Sequence, residues 1–221
     1  VVSFSSPFVD PDGPGPLAHG APTLLSLLGN KEIKPEKLLA WEMGYRCEPK
    51  SNLSVDIATF YNHYDDLLTN KRSFAIEGSP IPTNAVIRST FDNQMKGDTW
   101  GMELATNWQV NPDWRVTASY SWLKADMALK SDGADVTKVA DVERSIPQQQ
   151  YQLHAYWDIQ QHLKMNVALY HSDKIYTRNA AGLRKVPAYT RLDINFQWQI
   201  QADIMLNLGG RNLTDNQHPE F

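Results

Sequence analysis

The sequence has one cysteine, Cys47, among 221 residues, which excludes an internal disulfide framework and any multi-cysteine metal site. No apolar run reaches the ~18 residues of a membrane-crossing helix, because charged or strongly polar residues interrupt every hydrophobic stretch. There is no basic excess either. Lys and Arg number 21 against 25 Asp and Glu, for a net charge of -4. A phosphate-tracking nucleic-acid binder would carry a basic stripe, so no nucleic-acid partner is expected. The chain starts at Val1 without an initiator Met or a signal peptide and stops at Phe221, just after a turn-like cluster. It is therefore expected to be a piece of a longer protein. A mean hydropathy of -0.46 ordinarily marks a soluble domain. A membrane β-barrel gives the same average, because its strands alternate apolar and polar residues.

What the sequence does have is period two. Residues 1–37 read as a loop, with Asp10-Pro11-Asp12-Gly13-Pro14-Gly15-Pro16 a Pro/Gly turn unable to hold a helix or central strand. Leu24–Leu28 reads as one short apolar turn of helix. Eight alternating stretches follow, at 39–48, 52–66, 98–109, 113–124, 149–158, 163–171, 188–198 and 203–211. In 113–124, Trp114, Val116, Ala118, Tyr120 and Trp122 oppose Arg115, Thr117, Ser119 and Ser121. Such alternation predicts strands with one apolar and one polar face. Their lengths suit tilted strands that cross a bilayer.

Three patterns separate a membrane barrel from a soluble sandwich. Short connections near 48–52, 111–113, 160–162 and 199–202 alternate with long polar ones at 67–87, 125–147, 172–187 and from 214 onward, as short turns and long loops do in outer-membrane barrels. All seven Trp residues fall on the apolar face, and Trp108, Trp114, Trp157 and Trp198 lie close to short turns, where an aromatic girdle belongs. The other face interleaves charges of both signs, among them Glu42, Arg46, Asp56, Glu103, Arg115, Asp158, Lys164, Arg191, Asp193 and Arg211, as a wet lumen requires. The predicted fold is all-β: an antiparallel transmembrane β-barrel sector of about eight strands. A soluble glycan-binding β-sandwich is the competing architecture.

Five motifs then resemble, in order, those of TonB-dependent outer-membrane receptors of the siderophore-receptor type. They are Gly29–Lys37 running into Trp41–Arg46, Phe60–Leu67, Trp100–Leu104, Val186–Asp193, and Gly210–Asp215 with His218-Pro219-Glu220-Phe221. The resemblance implies a 22-stranded barrel with a plugged lumen, of which this chain supplies less than half, without the plug, the TonB box or the final strand. Residues 1–37 would be an extracellular loop and 38–221 the C-terminal portion of the barrel. The implied activity is active import across the outer membrane of a Gram-negative bacterium. The implied partners are a ferric siderophore or similar chelate, TonB through the missing N-terminal region, and outer-membrane lipid. A passive pore or a surface adhesin on a similar barrel is the alternative. No cofactor is implied.

Candidate ligand contacts come from the 172–187 loop: Tyr176, Arg178, Asn179 and Arg184. Arginine beside aromatics suits an anionic, metal-chelating ligand; an ordinary solvated loop is the plainer alternative. Glu42, Glu103, Asp158 and Asp193 share a face as a glycosidase pair would, yet any polar lumen carries such groups, and no enzyme is expected. The six histidines show no ligand spacing, so no metal site is expected.

Overall fold

The computed structural model describes residues 7–8, 23–77, 84–130, 136–179 and 182–214. The Asp10–Gly13 turn and the His218–Phe221 motif lie outside the described residues. The elements in chain order are β1 (Pro7–Phe8), β2 (Thr23–Leu28), β3 (Lys37–Lys50), β4 (Leu53–Glu77), β5 (Asn84–Asn111), β6 (Trp114–Leu129), α1 (Val136–Arg144), β7 (Gln149–Gln160), β8 (Leu163–Ser172), β9 (Ile175–Asn179), β10 (Gly182–Val186), β11 (Tyr189–Gln201) and β12 (Ile204–Gly210). All eight predicted strands are present, as β3–β8, β11 and β12. Among the described residues no helix is long and apolar enough to cross a membrane.

The chain divides into two compact units. One comprises residues 39–63, 98–126 and 141–221. Here the strands form an antiparallel meander, and the register joins the faces into continuous rows. Trp114, Trp157, Met165, Phe196 and Leu208 are successive cross-strand partners, so one face is apolar across five strands. Arg115, Tyr156, Asn166, Asn195 and Gly209 form the corresponding polar row. Trp114 and Trp122 are eight positions apart on β6, or ~26 Å along a strand. At the usual tilt this becomes ~20 Å of height, close to the apolar band of an outer-membrane barrel. The apolar face is bare: Met43 is 73% exposed, Leu208 59% and Trp41 53%. A soluble sheet would bury such residues against a second layer, whereas lipid covers them in a barrel. Among the described residues no pairing joins β12 to β3. The sheet is thus an open sector, as expected for part of a barrel.

The short turns fall where alternation breaks, at residues 51–52, 112–113, 161–162 and 202–203. Asn111 closes one of them, its Oδ1 accepting from the Asp113 amide at 2.9 Å, the Asx geometry that makes such residues turn formers.

The second unit comprises residues 1–38, 64–97 and 127–140. It corrects three expectations. First, the 67–87 loop is largely strand, since β4 runs to Glu77 and β5 starts at Asn84. Polar side chains reinforce that pairing: Thr69 donates to the Asp92 carbonyl at 3.1 Å and accepts from the Gln94 amide at 3.2 Å. Val86, Met95 and Met127 are buried, giving the strand extensions a small core of their own. Second, Leu24–Leu28 is strand and not a helical turn. It lies in β2 and pairs in parallel with β5 from Thr23↔Ala85 to Leu28↔Thr90. A single helical turn is a poor nucleus, and a free strand edge satisfies the same backbone groups. Third, the 125–147 loop holds the end of β6 and helix α1. The end of α1 belongs to the meander unit: Arg144 in its last turn complements the helix dipole, and the Ser145 hydroxyl caps the Val142 carbonyl at 2.8 Å.

Candidate ligand-binding site

The connections β6–β7 and β8–β11 leave the meander at the same end, the end of the long loops. The first contains α1. The second, residues 172–187, is a hairpin and not an open loop. β9 and β10 pair from Ile175↔Val186 to Asn179↔Gly182. Gly182 has φ +114°, a conformation that only glycine adopts readily.

Cross-strand partners share a face and the faces alternate. Tyr176 with Lys185 and Arg178 with Leu183 therefore occupy one side of the hairpin, and Thr177 with Arg184 the other. The candidates Tyr176 and Arg178 are brought together; Arg184 is turned away from them. Asn179 ends β9 opposite Gly182.

The last residues of α1, Asp141 and Arg144, meet the Tyr176/Arg178 face. Arg178 forms a two-point fork with Asp141, Nε to Oδ2 at 2.5 Å and Nη2 to Oδ1 at 3.0 Å. This is the strong, planar form of an arginine–carboxylate contact. The hydrogen bonds from Arg178 hold the Asp141 carboxyl below its usual pKa of 3.8. Arg144, three residues along the helix and on the same face, lies over the Tyr176 ring at 6.0 Å. Arg144, Arg178, Lys185 and Tyr176 thus make a cationic, aromatic surface, with Asp141 as a counter-charge on the Arg178 fork. Asp141, Arg144 and Lys185 escape sequence reasoning. The weak signal for the first two is their i, i+3 spacing in a segment read as loop.

The polar face of the meander encloses a shallow concavity of about 760 Å³, lined by Arg46, Asp56, Glu103, Gln150, Gln152 and Tyr170 among others. Two arginines stack on tyrosines directly opposite in register, Arg115 on Tyr156 at 4.5 Å and Arg191 on Tyr170 at 4.4 Å. His154 links the two pairs, edge-on to Tyr170 at 5.3 Å. The carboxylates considered for catalysis are spread along this wall. Asp193 pairs with Arg191 at 3.0 Å and Asp158 with Lys164 at 3.4 Å. No group of three or more His, Cys, Asp or Glu side chains able to hold a metal occurs among the described residues.

The family-like motifs turn out to be contact partners. In the unit of the strand extensions, Lys37 reaches Asp66 at 2.8 Å, and Lys130 bridges Asp66, at 2.5 Å, and Asp65. Glu36 accepts from the Leu68 amide at 2.8 Å. Asn93 bonds both backbone groups of Lys34 and the Asp66 carbonyl. Hydrogen bonds from Lys130 and Lys37 lower the Asp66 pKa to about 2. In the meander unit, the segment after β12 folds back on β11: the Asn212 amide donates to Asp193 Oδ1 at 2.9 Å, and the Leu213 amide to the Leu192 carbonyl at 2.8 Å.

The TonB dependent receptor-like, beta-barrel family matches residues 3–213. A curated relative, the probable TonB-dependent siderophore receptor PiuA of Acinetobacter baumannii, is 22% identical over 197 residues, 86% of this chain and 24% of its own. The chain thus spans about a quarter of the length of the curated relative it matches. Among solved structures, the siderophore receptor PirA of A. baumannii has a TM-score of 0.62 at 18% identity, covering 90% of this chain and 30% of its own. The ferric enterobactin receptor PfeA of Pseudomonas aeruginosa has a TM-score of 0.63 at 15% identity, covering 86% and 28%. At these identities the structures show a shared fold. The family match extends over almost the whole length, and the chain belongs to the TonB-dependent receptor-like β-barrel family of the Gram-negative outer membrane.

Proposed function

We propose that the protein containing this chain is an active-transport receptor that captures an anionic ferric siderophore, or a similar chelate, outside the cell and imports it with energy supplied through TonB. Residues 38–221 form the C-terminal portion of its barrel, and residues 1–37 belong to an extracellular connection. The single observation that carries this reading is the α1–hairpin surface at the long-loop end, where Arg144 lies over the Tyr176 ring and Arg178 and Lys185 share the hairpin face of Tyr176. Guanidinium forks and an aromatic face are the groups that hold a negatively charged, oxygen-rich chelate. Arg184, on the opposite hairpin face, adds to the field that draws an anion in. The activity is transport, without chemistry on the ligand.

The test is growth under iron limitation with a panel of single ferric chelates as iron source. A strain lacking the full-length gene should lose growth on at least one anionic chelate and regain it on complementation. Growth equal to wild type on every chelate would refute the import reading. Uptake that persists without TonB would make the protein a passive pore.

A further inference from the structure

Arg178 offers a guanidinium fork at the long-loop end, and that fork is engaged by the chain's own Asp141. Both sites on the carboxylate are used, Nε to Oδ2 at 2.5 Å and Nη2 to Oδ1 at 3.0 Å. The pair is accessible, with side chains 45% and 24% exposed. A bidentate pair is worth more than an ordinary surface ion pair, but solvent reaches it, and an anion with the same two-oxygen geometry can replace the carboxylate on the fork like for like. Around it the charge is lopsided. Arg144 lies over Tyr176, and Lys185 is the cross-strand partner of Tyr176. If Asp141 leaves, three cations and a tyrosine ring remain facing one another.

Resting on the import reading above, we infer that Asp141 is a built-in stand-in for the ligand, and that the site selects anions presenting two coplanar oxygens to the Arg178 fork. Carboxylates and catecholates have that geometry; a neutral hydroxamate complex lacks the charge to displace Asp141. The exchange is non-covalent. The ligand's oxygen pair takes the Nε and Nη2 donors, and Asp141 is released to solvent. Release also loosens the tie between α1 and the β9–β10 hairpin, which then rests on the contact of Arg144 with the Tyr176 ring. Ligand class and the strength of the tie between α1 and the hairpin are then set by one carboxylate.

The experiment uses the full-length receptor in detergent and the variant Asp141→Asn, with affinities read by tryptophan quenching. The probes are a ferric tris-catecholate complex and a neutral ferric tris-hydroxamate complex. Removing the internal competitor should tighten tris-catecholate binding about three- to tenfold and leave the hydroxamate complex unchanged. Arg178→Gln should weaken the tris-catecholate in either background. If Asp141 is only a brace, Asp141→Asn will weaken or leave unaltered both complexes, and the inference is overturned. If wild-type receptor binds neither complex, the import reading is the part in trouble. The stand-in is then judged by hydrogen exchange at the β9 and β10 amides: faster exchange in sodium oxalate than in equal-ionic-strength chloride supports it, and equal rates overturn it.

Discussion

The ring of Phe60 on β4 covers Gly101 on β5. A Cβ built on Gly101 would lie 2.5 Å from Phe60 Cζ and 2.4 Å from the Trp122 carbonyl oxygen. The glycine leaves a gap in the lumen-side wall, and an aromatic from the next strand fills it, a device known to rescue glycines in sheets. Gly101→Ala should therefore overpack the wall and cost ~1–3 kcal/mol. The readout is the temperature at which the full-length protein loses its heat-modifiable mobility on gels. Phe60→Ala in the same background should recover only part of the loss, because the Trp122 carbonyl stays in place. An unaltered transition for Gly101→Ala would show that the strands separate freely here.

The two faces of the meander should tolerate charge very differently. Leu169 lies between Leu153 and Leu192 in the middle of the apolar rows. Asn166 belongs to the polar row. Leu169→Arg should cost ~2–4 kcal/mol, the penalty for a charge at mid-bilayer, whereas Asn166→Arg should change stability little. Folding titrations into lipid vesicles distinguish the two variants. Equal penalties would contradict the assignment of faces.

The contrast between these faces explains what could be read from the sequence. Strict alternation exposed all eight barrel strands, because lipid on one side and water on the other impose opposite chemistry on successive residues. The signal stopped where both sides became wet. Asn70-Lys71-Arg72-Ser73 in β4 carries no alternation, and the extension there is held by hydrogen bonds such as Thr69 to Asp92. The parallel docking of Leu24–Leu28 on β5 depends on a partner some 60 residues away. At the ligand site, Arg178 and Tyr176 were legible as residue types suited to an anion. Their partners Asp141 and Arg144 were not, since nothing local marks a contact between positions 37 apart. The opposite facing of Arg184 follows only from the hairpin register.

The ion-pair node at Asp66 predicts a pH dependence at the acid end. Its carboxyl has a pKa of about 2 against the ordinary 3.8, because Lys130 and Lys37 donate to it, and Lys130 likewise lowers that of Asp65. A depressed folded-state pKa contributes stability that is complete above pH ~4 and is lost as pH falls toward ~2. Hydrogen exchange in residues 64–77, corrected for intrinsic rates, should be flat from pH 5 to 8 and rise below pH 4. Asp66→Asn should show the raised exchange already at pH 7. A variant with wild-type protection at pH 7 would show that the node does not hold these strands together.

The isolated 221-residue chain should not behave as a soluble domain. It carries a bare apolar face and an open sheet, and unpaired edges with exposed apolar strands aggregate in water. Expression without the rest of the receptor should give inclusion bodies. A soluble monomer that unfolds cooperatively without detergent would contradict the membrane assignment.

Energy-dependent import of an anionic ferric chelate, as proposed above, is decided by radiolabelled iron uptake. Cells carrying the full-length receptor are supplied with a ferric tris-catecholate complex, with and without a protonophore, beside cells with an Arg144→Gln, Arg178→Gln double variant. Uptake should stop when the proton gradient collapses and fall at least tenfold in the double variant at sub-saturating chelate. Uptake unaffected by the protonophore, or identical in the variant, would contradict it.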